Sequence, residues 1–91
     1  MNDCDKEKIE KLKELLPGHV TEEYLRRIYL FMRPTSEDMK SAVIDHICLG
    51  VTQPEAANKN GVKQGNISRQ VKRLKAVNLN IIETIEYIIE E

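Results

Sequence analysis

Ninety-one residues carrying 14 Lys or Arg and 15 Asp or Glu make one small, nearly neutral chain of net charge −1, long enough for a single core with little margin. The absence of Trp, with one Phe, three Tyr, four Gly and three Pro, points to an all-α fold built on aliphatic stripes, a small bundle of about five to six helices. No apolar run approaches a membrane span, no signal peptide is read, and Cys4 and Cys48 lack the spacing of a disulfide framework or zinc site. The expected location is the cytoplasm.

The first helix is expected over residues 2–16, capped by Asp3 or Asp5, with Ile9, Leu12, Leu15 and Leu16 as its apolar stripe and Pro17-Gly18 as its stop. Thr21 is placed to cap a second helix, and Glu22 and Glu23 favour the positive end of its dipole. Its stripe is Tyr24, Leu25, Ile28, Tyr29 and Met32; Arg26, Arg27 and Arg33 read as solvated, and Pro34 ends it. Thr35 or Ser36 caps a third helix that begins with Glu37 and Asp38. Met39, Ala42, Val43, Ile47 and Cys48 form its inward face, and Gly50 closes it.

From about residue 52 to 75 the pattern is a short helix, a tight turn and a second helix, the arrangement of a helix-turn-helix. Thr52 caps the first of the pair, with Pro54 and Glu55 in its opening turn. Ala56 and Ala57 are small enough for a close crossing. Gly61 comes four residues after Ala57, where the reversal favours a residue without Cβ, and Val62 seals the turn. Ile67, Val71 and Leu74 give the second helix one narrow apolar stripe. The other positions are polar or basic. Between Ala56 and Ile82 there is no Asp or Glu but six Lys or Arg, so the remainder of the chain carries −7. That segregation, rather than net charge, points to double-stranded DNA.

The expected DNA-binding residues are Gln53, Lys63, Gln64, Asn66, Ser68, Arg69, Lys72 and Arg73. Gln64 and Asn66 suit two-bond recognition of adenine, the Lys and Arg side chains suit guanine or phosphate, and Gln53 suits a phosphate at the start of the preceding helix. The major groove is the geometric default for such a helix.

The final helix is expected over residues 80–91, capped by Asn78 or Asn80. Ile81, Ile82, Ile85, Ile88 and Ile89 lie on one side, and Glu83, Glu86, Glu90 and Glu91 on the other. Five Ile in twelve positions exceed what one side of a short terminal helix hides. Ile85, Ile88 and Ile89 are therefore assigned to a homo-oligomer, a dimer or higher, which also raises affinity by pairing two reading heads.

Leu15-Leu16-Pro17-Gly18, the helical stretch 36–50, Gly65-Asn66-Ile67-Ser68 and Arg73-Leu74, in that order and spacing, resemble the PapB-type regulators of fimbrial adhesin operons over about residues 15–80. The resemblance implies an all-helical bacterial transcriptional regulator that binds AT-rich repeats as an oligomer, associated with the nucleoid when bound and linked to minor-groove recognition. The chain departs from that pattern at Gln53, where relatives commonly carry a basic residue, and at the more basic Lys63 and Lys72. The stretch from Thr52 to Leu74 also resembles the helix-turn-helix of KorA-type plasmid repressors.

Enzymatic chemistry has little to stand on. Asp45, His46 and Cys48 are close in sequence, but a helix spreads them, and the expectation is a buried Cys48 beside surface Asp45 and His46. Cys4 with His19 is a weaker pairing. No phosphate loop, carboxylate pair or nucleophile elbow is present, and neither an enzyme, a metal nor a cofactor is expected. A helical protein-interaction module is the alternative to DNA binding; RNA is disfavoured because the basic stretch has no stacking aromatics.

Overall fold

The computed structural model describes residues 3–90, without the side chains of Cys4 and Asp5. The described residues form five helices and no strand: α1 (Asp3–Glu14), α2 (Glu22–Tyr29), α3 (Glu37–Ile47), α4 (Gln53–Asn60) and α5 (Gln64–Glu90). The all-α bundle anticipated from composition is what the chain builds. The assignments to Asn2, to an Asp5 cap, to Cys4 and to Glu91 lie outside the described residues.

Local capping chemistry explains most of the boundaries. Thr21, Ser36 and Thr52 each sit in extended backbone, and each side chain accepts from the amide three residues on, at Tyr24, Met39 and Glu55. Such caps satisfy donors that have no partner inside the helix. Gly61 ends α4 in the left-handed region, φ 68°, with its amide bonded to the Ala57 carbonyl. The first helix stops at Glu14, short of the expected Leu16. Leu15 turns into the left-handed region, φ 47°, and in doing so becomes fully buried. Burying a leucine outweighs the ~1–2 kcal/mol cost of that backbone for a residue with a Cβ.

Helix α5 is the axis of the molecule. Ile67, Val71, Leu74, Asn78 and Ile82 form one buried line along it. Helices α2, α3 and α4 pack on this helix, as does α1. The core joins Leu15, Leu25, Ile28, Val43, Ile47, Ala56, Ile67 and Leu74. Ala56 and Ala57 are buried where α4 meets α3.

Two expectations about α5 are corrected here. The terminal segment is no separate helix beginning at residue 80; α5 runs unbroken from Gln64 to Glu90, with no Gly or Pro after Gly65 to interrupt it. Nor does Asn78 cap anything. It is fully buried, accepts a hydrogen bond from the Tyr24 hydroxyl at 2.5 Å, and donates to the Leu12 carbonyl at 2.6 Å. One amide thereby ties α1 and α2 to α5. A buried amide is tolerated because both its oxygen and its nitrogen find partners.

Asp45 is the third correction. It is buried, not on the surface, because Asn60 donates to it at 2.9 Å and Lys59 lies 3.7 Å away. Asn60 also donates to the Ala56 carbonyl at 2.9 Å, so the end of α4 is fastened to α3. Cys48, expected to be buried, is half-buried, and His46 is half-buried rather than on the surface.

Candidate nucleic-acid interface

Helix α4 and helix α5 are joined by three residues, Gly61, Val62 and Lys63. The Val62 amide donates to the Ala57 carbonyl at 3.0 Å, and the Lys63 carbonyl accepts from Asn66 at 3.0 Å and Ile67 at 3.3 Å. The turn is thus fixed at both ends by backbone bonds. Val62 is half-buried against the core, so the reversal is anchored as its apolar character suggested.

The start of α5 differs from those of α2, α3 and α4. Each of those three has a capping hydroxyl and an acid in its first turn. Helix α5 has no acid in its first turn, and the capping position is Lys63, whose side chain is a cation. The positive end of the longest dipole is therefore reinforced rather than neutralised.

The expected site residues fall on α5 in a definite order. Arg69 and Lys72 follow Gly65 at four- and seven-residue spacing, on the side opposite the buried line. Asn66 and Arg73 border that face on one flank, while Gln64 and Ser68 lie toward the other. Lys63, Gln64, Asn66, Arg69, Lys72 and Arg73 are exposed, and Ser68 is half-buried. Arg69 donates to the Asn66 side-chain oxygen, so the two exposed polar side chains are linked on this face. Gln53, at the head of α4, is half-buried and stands near Glu55 in the same first turn. It belongs to a less positive surface than the rest.

Some of the basic side chains are paired with acids and others are not. Lys13, Arg26, Arg27, Lys40 and Lys59 each lie within 4 Å of a carboxylate. Among the described residues, none of Lys63, Arg69, Lys72, Arg73 and Lys75 forms an ion pair. Their charge is uncompensated among the described residues, and an uncompensated cluster repels itself until an anion arrives.

Comparison with protein-family models, with curated proteins and with solved structures finds no match. The site is therefore read from its own geometry. No helix among the described residues is long and apolar enough to cross a membrane.

Gly65, singled out in the sequence only through the Gly65-Asn66-Ile67-Ser68 resemblance, stands out in the structure. It has ordinary helical backbone, and a Cβ added there meets no heavy atom within 4 Å. Neither a positive φ nor a close neighbour in the chain calls for glycine, which costs a helix about 0.5–1 kcal/mol relative to Ala. It lies in the first turn of α5, at about the azimuth of Arg69 and Lys72.

The other end of α5 is apolar. Ile85, Ile88 and Ile89 are exposed at 46, 67 and 51%, and Tyr87, toward the other side of the helix, at 64%. Ile85 and Ile89 continue the line of Ile82 where the bundle covers it only in part. Glu83 and Glu90 are exposed as expected, but Glu86 is drawn half-inward by Lys13 at 2.9 Å. That pair and Glu10 raise the Lys13 pKa above its ordinary value.

Asp45, His46 and Cys48 do not assemble into a reactive group. Asp45 faces Asn60, whereas His46 Nδ1 lies 2.7 Å from the Val51 carbonyl, an acceptor only, so that nitrogen carries a proton. Burial and then Glu22 push the Cys48 thiol up from its ordinary value, which suppresses thiolate formation.

Proposed function

We propose that this chain is a sequence-specific DNA-binding transcriptional regulator whose α4–α5 pair acts as a helix-turn-helix. The outward face of α5 from Lys63 to Arg73 enters the major groove, and the exposed end at Ile85, Ile88 and Ile89 joins copies into a dimer or higher oligomer. The observation that carries the reading is the set of α5 cations without ion pairs among the described residues, on a helix whose opposite side is anchored in the core. A duplex supplies the missing anions, and the side chains of Asn66 and Gln64 supply base-edge recognition. The resemblance to PapB-type regulators supports AT-rich repeats upstream of fimbrial adhesin genes as the target, read in the bacterial cytoplasm.

The test is a fluorescence titration of AT-rich and GC-rich duplexes between about 50 and 200 mM salt, where log affinity should fall linearly with log salt. Arg69→Ala should cost about 1–3 kcal/mol on the preferred duplex and relax its selectivity. An equal loss on every duplex makes Arg69 a phosphate contact, and unchanged affinity removes it from the site. Displacement by a minor-groove ligand would move the reading to that groove. Failure of the wild-type chain to bind any duplex refutes the proposal and favours a protein-interaction module, the reading supported by exposed Leu30 and Phe31 at 79 and 70%.

A further inference from the structure

A groove of about 630 Å³ runs between the α2–α3 connection and the middle of α5, with Arg33, Thr35, Gln70 and Arg73 around it and Met32 and Val77 among its apolar lining. No Asp or Glu lines it. By contrast, the groove beside α2 and α3 is lined by Glu22, Glu37 and Asp45. Arg33 and Arg73 come from segments forty residues apart in sequence, face one concavity, and form no ion pair among the described residues. Glu37 and Asp38, the acids nearest Arg33 in sequence, are not among the lining residues, and Glu37 is engaged by Lys40 at 3.6 Å.

Resting on the DNA-binding reading above, we infer that this groove seats a backbone phosphate of the bound duplex, held by Arg33 and Arg73 together. Arg73 stands one helical turn beyond Arg69, so the groove opens where a strand leaves the basic face of α5. Two arginines lining one groove without an acid make it positive, and a phosphodiester seated there can accept from both. The Thr35 hydroxyl and the Gln70 amide, both on half-buried residues, add neutral donors. Arg33, which reads from sequence as an ordinary solvated arginine, becomes a contact outside the two-helix element. It carries no base information; it fixes how α5 is seated.

The proposal is tested with wild-type chain, Arg33→Gln and Arg33→Lys titrated against the AT-rich and GC-rich duplexes across salt. Arg33→Gln should lower affinity about eightfold at 0.1 M salt on both duplexes alike, with the log–log salt slope shallower by about one. Arg33→Lys should restore the slope, and circular dichroism should show both variants folded, since Arg33 is exposed in a connection. If wild-type chain binds duplex and Arg33→Gln leaves slope and affinity unchanged, the phosphate seat is wrong while the DNA reading stands. If no duplex binds, both fall. Inorganic phosphate alone, followed at the arginine Nε–H resonances by NMR, distinguishes a free anion. Saturation below about 1 mM that is lost in Arg33→Gln, with duplex affinity unmoved, would make the groove a small-anion pocket and overturn the assignment.

Discussion

Replacing Gly65 with alanine should raise stability and lower DNA affinity at the same time. The stability half follows from the structure alone. Gly65 has helical backbone and open space where its Cβ would go, so the methyl introduces neither strain nor clash. It removes conformational freedom from the unfolded chain and improves helix propensity, together about 0.5–1 kcal/mol. For a domain of this size that is a rise in melting temperature of roughly 2–8 °C, read by circular dichroism at 222 nm. The affinity half follows from the proposed function. If the duplex approaches the first turn of α5 on its basic side, a methyl there holds the helix off, and a loss of about tenfold corresponds to only ~1.4 kcal/mol. Both quantities come from one preparation, by melting and by fluorescence titration. Loss of stability would refute the description of Gly65 as unstrained and unpacked. Wild-type affinity with raised stability would remove Gly65 from the contact surface.

Substituting both Ile85 and Ile89 with Lys should yield a folded monomer with weak DNA binding, because both are already about half exposed within one chain. Its melting temperature should no longer rise with protein concentration once the oligomer is lost; a wild-type chain that sediments as a monomer at micromolar concentration, free and on a repeat-containing duplex, would exclude the oligomer. Asn78→Leu should destabilise by about 2–4 kcal/mol in urea melts, since the Tyr24 hydroxyl and Leu12 carbonyl are left without their amide partner. Tyr29→Phe should be neutral or stabilising by up to about 1 kcal/mol, because the buried Tyr29 hydroxyl has no hydrogen-bond partner among the described residues and its removal relieves an uncompensated desolvation. A clear loss of stability in Tyr29→Phe would show that the hydroxyl is bonded after all.

What was legible in the sequence was chemistry that acts over three or four residues. Thr21, Ser36 and Thr52 announce helix starts because each carries its acceptor within reach of a nearby amide, and Gly61 announces the turn because left-handed backbone favours it. Ile67, Val71 and Leu74 betray the buried side of α5 by spacing alone. The misreadings have the opposite origin. Asn78 and Asn80 look like cap residues only while their neighbours in space are unknown; Tyr24 and Leu12, which decide the fate of Asn78, lie 54 and 66 positions away. Asp45 looks like a surface acid until Asn60 and Lys59 are folded against it. Leu15 gives no local sign that burial will carry it into left-handed backbone. For the site, the cluster of cations was visible as an acid-free run, whereas the sharing of one groove by Arg33 and Arg73 depends on how the α2–α3 connection lies along α5.

The unbroken course of α5 has a mechanical consequence. At about 1.5 Å per residue its 27 residues reach roughly 40 Å, nearly the full 45 Å length of the molecule. Its basic face and its exposed isoleucines are therefore two stations on one rod, with no hinge between them to absorb torsion. A single residue inserted near Ala76 would advance the far station by about 100° around the axis, and would disturb the placement of Asn78 and Ile82 with it. The azimuth of the apolar end relative to the basic end is thus a fixed property of the helix, set by residue count in the way the teeth of two gears keyed to one shaft stay in step.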